Sequence, residues 1–173
     1  MKRFFLVFLS IIIGFILQTT VFHFISFGGI VPNILLMITA CCGFMRGKKE
    51  GMYVGIFCGF LIDLFYGGGF LGLYGLLYML MGYMNGMFHR IFYPEDIKLP
   101  IFFVAITDLA YGLISYVFLF LLRTRFEFIG YLREVILPET VYTVLITLLC
   151  YRIILFFNNI LETDERKSEA KFV

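Results

Sequence analysis

The sequence predicts an all-α fold, a polytopic bundle of six transmembrane helices. Three observations lead there. The 173 residues are 61% hydrophobic and only 15% charged, with a mean hydropathy of +0.96. Long apolar runs recur between short polar or glycine-rich breaks, and the basic residues gather in alternate breaks. Water-soluble domains run near half apolar and a quarter charged, so no soluble core of this length hides so much apolar surface. In a bilayer the same length suffices for about six spans of ~20 residues with short connections, and leaves no room for a separate soluble domain.

Taken in order, Met1-Lys2-Arg3 precedes an apolar run that lacks a small-x-small cleavage site and is too long for the core of a signal peptide. It is therefore read as helix 1, about 4–25. Helix 2 covers about 30–45, and the polar turn Arg46-Gly47-Lys48-Lys49-Glu50 separates it from helix 3, about 51–66. Both are short for a ~30 Å core and extend into their turns or thin the bilayer locally. Gly67-Gly68-Gly69 breaks the chain before helix 4, about 70–88, which makes a tight hairpin of helices 3 and 4. The stretch His89 to Lys98, with Tyr93-Pro94-Glu95-Asp96, precedes helix 5, about 99–122. An Arg-containing connection then leads to helix 6, about 134–157, and 158–173 form a charged, solvated tail.

Orientation follows from lysine and arginine, whose excess marks cytoplasmic connections. With the N-terminus inside, the inner side collects Lys2, Arg3, Arg46, Lys48, Lys49, Arg90, Lys98, Arg152, Arg166, Lys167 and Lys171, against Arg123, Arg125 and Arg133 outside. Both ends then lie in the cytoplasm. In the last outer connection Arg123, Arg125, Glu127 and Arg133 alternate with Phe126, Phe128, Ile129 and Tyr131, a pattern suited to a short amphipathic segment on the outer leaflet.

The chemistry-bearing patterns are few. A net charge of +2 gives no reason to expect a nucleic-acid partner, and the expected medium is the lipid bilayer. The four cysteines form no CxxC pair and no disulfide framework, and are read as small buried apolar residues. His23 and His89 fall on opposite sides of the membrane, and no HExxH, P-loop or Gly-rich nucleotide fingerprint occurs. No catalytic residue, metal ligand or cofactor site is expected, so the chain is read as a non-enzyme.

What remains is intramembrane. Gly51, Gly55, Gly59 and Asp63 recur every four residues along one stripe of helix 3, and Gly72, Gly75, Gly82 and Gly86 continue the theme on helix 4. Small-xxx-small stripes let helices approach closely, either inside one bundle, against a partner helix or in a homodimer. The hairpin of helices 3 and 4 is therefore expected at the packed centre of the fold. Asp108 lies deep in helix 5, where a bare carboxylate costs several kcal/mol and must be paired, hydrated or protonated. Tyr111 and Ser115 share its face. Under the assigned topology Gln18, His23, Asn33, Asp63 and Glu139 all fall in the outer half of the bilayer. They line an outward-facing polar pocket or else cap helix ends and bond between helices. Arg46, Lys48 and Lys49 form a cytoplasmic basic turn, read as a positive-inside anchor or a contact for a partner or anionic lipid.

The order of these features resembles a known family. Pro32-Asn33 opens helix 2, followed by Arg46-Gly47, the Gly51/Gly55/Gly59/Asp63 stripe, the glycine turn, Gly72, Tyr74, Leu77-Tyr78, Gly82-Tyr83 and Gly86. Over nearly the whole chain this is similar to the bacterial rod shape-determining MreD family. The resemblance implies a non-enzymatic plasma-membrane scaffold subunit of the cell-elongation complex that supports cell shape and lateral peptidoglycan synthesis. Its implied partners are an MreC-like single-span protein and, indirectly, actin-like MreB and the peptidoglycan synthases. It also implies a helix arrangement similar to the substrate-binding subunits of energy-coupling-factor transporters. A solute-binding subunit of a vitamin transporter is accordingly the alternative function. Helices 5 and 6 resemble the family only in general character, so Asp108 and Glu139 are singled out on physical grounds alone.

Overall fold

A computed structural model describes residues 2–26, 29–66, 72–91, 97–119 and 128–169, which form six helices and no β-strand. Helix α1 starts as Lys2–Ile16, passes through a π-helical turn at Leu17–Val21 and finishes with Phe22–Phe24. Helices α2 (Ile34–Arg46), α3 (Lys48–Tyr66) and α4 (Leu73–Met87) follow, then a 3-10 turn (His89–Ile91) and α5 (Lys98–Leu119). Helix α6 opens as Phe128–Tyr131, turns through a second π-helical segment at Leu132–Ile136 and continues as Leu137–Glu169. The triple-glycine turn, Tyr93 to Asp96, and Arg123, Arg125, Phe126 and Glu127 lie outside the described residues.

Among the described residues, three segments are long and apolar enough to cross a membrane: Phe5–Phe24 in α1, Lys98–Phe118 in α5 and Phe128–Phe156 in α6. Ile34–Arg46 is apolar but shorter. Around the bundle the exposed side chains are large and greasy, among them Phe24, Phe65, Ile129 and Leu149, exposed at 67–85%. Isolated exposed hydrophobics are ordinary on soluble proteins, but a continuous belt of them marks a surface that meets lipid.

The centre of the bundle is α2, which touches every other helix and buries ten of its thirteen residues. The α3–α4 hairpin, expected at the centre, instead forms the closest helix pair and packs its inner side on α2. Glycine explains how close that pair is. A Cβ on Gly59 would stand 2.5 Å from Gly75 Cα, and one on Gly86 would stand 2.5 Å from the Lys48 nitrogen. A Cβ on Gly51 would strike the Gly82 carbonyl oxygen, and one on Gly55 the Tyr78 carbonyl oxygen. Gly43 of α2 completes the junction, since its Cβ would lie 2.5 Å from the Gly82 carbonyl oxygen. Gly72, beside whose Cβ position nothing stands within 4 Å, takes no part in this contact; the other stripe glycines face the neighbouring helix, and at Gly51, Gly55, Gly59, Gly82 and Gly86 backbone meets backbone too closely to admit a partner helix.

Several boundaries differ from the sequence reading, each for a local reason. The polar turn between α2 and α3 shrinks to Gly47, whose φ of 95° reverses the chain while its N–H bonds the Gly43 carbonyl at 2.8 Å. Lys48 and Lys49 are thus the first turn of α3 rather than a loop. The segment from Phe128, expected to lie apart on the outer leaflet, is the start of α6. Pro138 lacks an N–H and crowds the preceding turn, and the π-helical turn just before it absorbs that crowding, with Leu137 N–H reaching the Leu132 carbonyl. At the other end α6 does not stop at 157 but stays helical to Glu169.

Candidate functional site: a buried polar cluster at one end of the bundle

With successive helices antiparallel, the starts of α2, α4 and α6 and the finishes of α1, α3 and α5 meet at one end. Every helix start there leaves N–H groups that need acceptors. Two of the residues read as lining a polar pocket or capping helix ends serve that need as caps. Gln18 Oε1 accepts from Leu35 N–H of α2 at 3.0 Å. Asp63, only 3% exposed, accepts from Tyr74 N–H at 3.2 Å and Gly75 N–H at 2.8 Å, both in the first turn of α4. The N-cap position of α4 is Gly72, at φ 97°, which has no side chain to offer, so α3 supplies the cap from across the hairpin. His23 stands exposed on the surface. Removing the Asp63 carboxylate by Asp63→Ala is expected to lower stability by about 1–2 kcal/mol. Asp63→Asn, which keeps an acceptor oxygen, should lose less; thermal unfolding of the detergent-solubilised protein measures both.

The remaining candidates converge. Asn33 N-caps α2, its Oδ1 accepting from Leu36 N–H at 3.2 Å and from the Tyr78 hydroxyl at 2.7 Å. Its own N–H donates to Thr143 Oγ1 of α6 at 3.1 Å. The Thr143 and Thr140 hydroxyls face the carboxyl of Asp108, which sits midway along α5. Gly112 admits α6 at that level, since a Cβ there would lie 3.0 Å from Ile136 Cγ2. The Tyr78 ring packs edge-on against Tyr111, with centroids 5.3 Å apart. Glu139, one position before Thr140, lies within electrostatic reach of Asp108 and of Tyr78, Tyr111 and Tyr131. Two groups predicted separately, Asn33 with Glu139 and Asp108 with Tyr111 and Ser115, are thus one cluster joining α2, α4, α5 and α6.

Within it, Asp108 Oδ1 is buried without a hydrogen-bond partner, and Ser115 stands beside Tyr111. Sequence reasoning passed over Thr140 and missed Tyr78 as the partner of Asn33. No spacing rule connects residues 45 positions apart. Elsewhere, Asn85 of α4 donates to Thr107 Oγ1 of α5 at 2.7 Å, and an apolar groove of about 180 Å³ runs between α1, α2 and α6, past Ser10, Gly14, Met37 and Cys150.

The opposite end carries the basic turn. Arg46 pairs with Glu50 across the Gly47 turn, the Lys48 ammonium stands 5.8 Å from the Tyr83 ring centroid, and Lys49 is exposed. His89 Nδ1 lies 3.0 Å from the Phe44 carbonyl oxygen, tying the 3-10 turn to the end of α2.

The greasy belt, the apolar helices and an interior of apolar side chains, close glycine contacts and hydrogen-bonded polar groups define a helical membrane protein. The family model for rod shape-determining protein MreD matches residues 1–161, and the chain belongs to that family, whose role is rod shape determination. No curated protein and no solved structure matches the chain.

Proposed function

We propose that the protein is a non-enzymatic scaffold subunit of the bacterial cell-elongation complex. In this reading all six helices span the plasma membrane, both ends are cytoplasmic, and the protein binds an MreC-like single-span partner. Through that partner it connects to actin-like MreB and to the peptidoglycan synthases. The family match over residues 1–161 carries the proposal. The six-helix count and the gathering of Arg46, Lys48, Lys49 and His89 at one end support the topology. Because the glycine stripes are occupied within the bundle, the partner docks on an outer helix face.

The alternative, a solute-binding transporter subunit, draws on the polar cluster at the other end. Mild-detergent purification of the tagged protein from its own membranes separates the two. The expected result is a retained single-span protein, together with rounding of rod-shaped cells when the protein is depleted. Cells that keep their shape, with a stoichiometric small solute in place of the protein partner, would overturn the scaffold reading.

A further inference from the structure

The central helix leaves one stripe uncovered. Its partly exposed residues are Ile38, Cys42 and Arg46, spaced four apart on a single face. All three line the apolar groove of about 180 Å³ between α1, α2 and α6. The floor is buried, with Ile34 and Met37 at 4% and 3% exposure, whereas Ile13 and Ile153 on the flanking helices are exposed at 45% and 57%. Beyond the Ile34 end α1 and α6 are joined. There the Phe22 and Tyr142 rings meet edge-on at 6.2 Å, and the Tyr142 hydroxyl donates to the Ile25 carbonyl at 3.2 Å. The lining changes character along its length. Ser10 turns its hydroxyl to the Val7 carbonyl at 2.7 Å, so the body of the groove presents hydrocarbon and sulfur. Among the described residues lining it only Arg46, at the end of α2, is charged. Lys2 and Arg3 open α1 one turn before Leu6 and Val7 and so add positive charge at the same end.

We infer that this groove holds one acyl chain of an anionic phospholipid, with the phosphate at the Arg46 guanidinium. The occupant has to be aliphatic over most of its length and negative at one end, which is the polarity of such a lipid. From Ile34 to Arg46 the groove runs about 18 Å at 1.5 Å per residue, close to the ~15 Å depth of one leaflet of a ~30 Å core. Drawn out over that length, about 180 Å³ is a slot for a single chain, whereas a helix with its side chains is about 10–12 Å across. Arg46 already bonds Glu50. A guanidinium fans five N–H groups over two edges, however, and serves a carboxylate and a phosphate together. Basic residues beside the membrane surface draw anionic headgroups in preference to zwitterionic ones. The inference stands apart from the scaffold reading, which concerns a protein partner; on the topology proposed above, the lipid belongs to the inner leaflet.

The chain contains no tryptophan, so a single introduced one reports on its own surroundings. Ile153→Trp places it beside the groove, and Leu149→Trp, on α6 at a position 74% exposed, is the control. Each full-length protein is placed in phosphatidylcholine bilayers containing a rising fraction of phosphatidylglycerol brominated on its acyl chains. Quenching of Ile153→Trp is expected to saturate at a low fraction, while that of Leu149→Trp rises in proportion to it. Brominated phosphatidylcholine should quench Ile153→Trp equally only at about tenfold higher fraction. Adding Cys42→Phe, which fills the groove, should make the Ile153→Trp curve proportional. Adding Arg46→Gln with Glu50→Gln, so that no carboxylate is stranded, should erase the difference between the two lipids. Equal quenching of Ile153→Trp by both lipids, or a Cys42→Phe curve that still saturates, would overturn the inference. So would a co-purified single-span protein that shields Ile153→Trp from both lipids, since the groove would then be that protein's seat. Cells that keep their shape on depletion would remove the scaffold reading and leave this result standing.

Discussion

Replacing Gly82 by leucine is expected to leave no folded, monodisperse protein. A Cβ at this position would lie 2.6 Å from the Gly51 carbonyl carbon and 3.0 Å from Thr39 Cγ2, and would overlap the Gly51 carbonyl oxygen. The obstacle is the backbone of α3, which cannot rotate out of the way as a side chain can. Even Gly82→Ala should therefore cost about 1–3 kcal/mol, and leucine more, because it forces α3 and α4 apart along the closest contact in the bundle. Gly130→Ala is the control. Nothing stands within 4 Å of its Cβ position, so its effect should stay within about 0.5 kcal/mol. Size-exclusion profiles and unfolding midpoints in detergent decide the matter; a Gly82→Leu protein with an unchanged profile and midpoint would mean that the hairpin is not packed as described.

The second large effect is expected at Asn33. Asn33→Ala removes the side-chain cap of α2 and leaves the fully buried Tyr78 hydroxyl without its acceptor. The lost cap contributes about 1 kcal/mol and the stranded hydroxyl about 1–3 kcal/mol, so the variant should lose about 3 kcal/mol. The two losses are separable by a second substitution. In the Asn33→Ala background, Tyr78→Phe deletes the stranded hydroxyl and should recover part of the stability, whereas in the parent protein Tyr78→Phe should destabilise. A double-mutant cycle by thermal unfolding reads this coupling. Strictly additive losses would show that Asn33 and Tyr78 do not depend on each other.

Much of the helical layout was legible because it rests on local signals. Apolar run length and the breaks at Gly47 and around the triple-glycine turn marked the six helices, and the spacing of Gly51, Gly55 and Gly59 marked a close-packing face. Boundaries differ where a helix carries charge into its first turn, as at Lys48 and Lys49, opens in a mixed polar and apolar segment, as at Phe128, or runs on through charged residues, as up to Glu169. Hydropathy measures preference for lipid, not backbone geometry, and so cannot see a helix that continues through polar residues.

Asp63 shows the limit at a site. Its place near the end of an apolar helix left a pocket acid and a helix cap both open, and only the return of α4 across the hairpin makes it the cap for Tyr74 and Gly75. Gln18 and His23 are a similar pair. Both lie in one polar stretch of α1, yet the first reaches the Leu35 amide while the second stays on the surface.

The sequence alone determined the medium, the helical class and the family, because composition, run length and motif order are properties of the chain read in one dimension. Tertiary structure decided that α2 is the central helix, that Gly51, Gly55, Gly59, Gly82 and Gly86 are spent on the closest helix contact, and that Asn33, Asp108, Tyr111 and Glu139 belong to one polar cluster. Those outcomes depend on which helix faces turn toward each other, and that is set by packing between segments far apart in the chain.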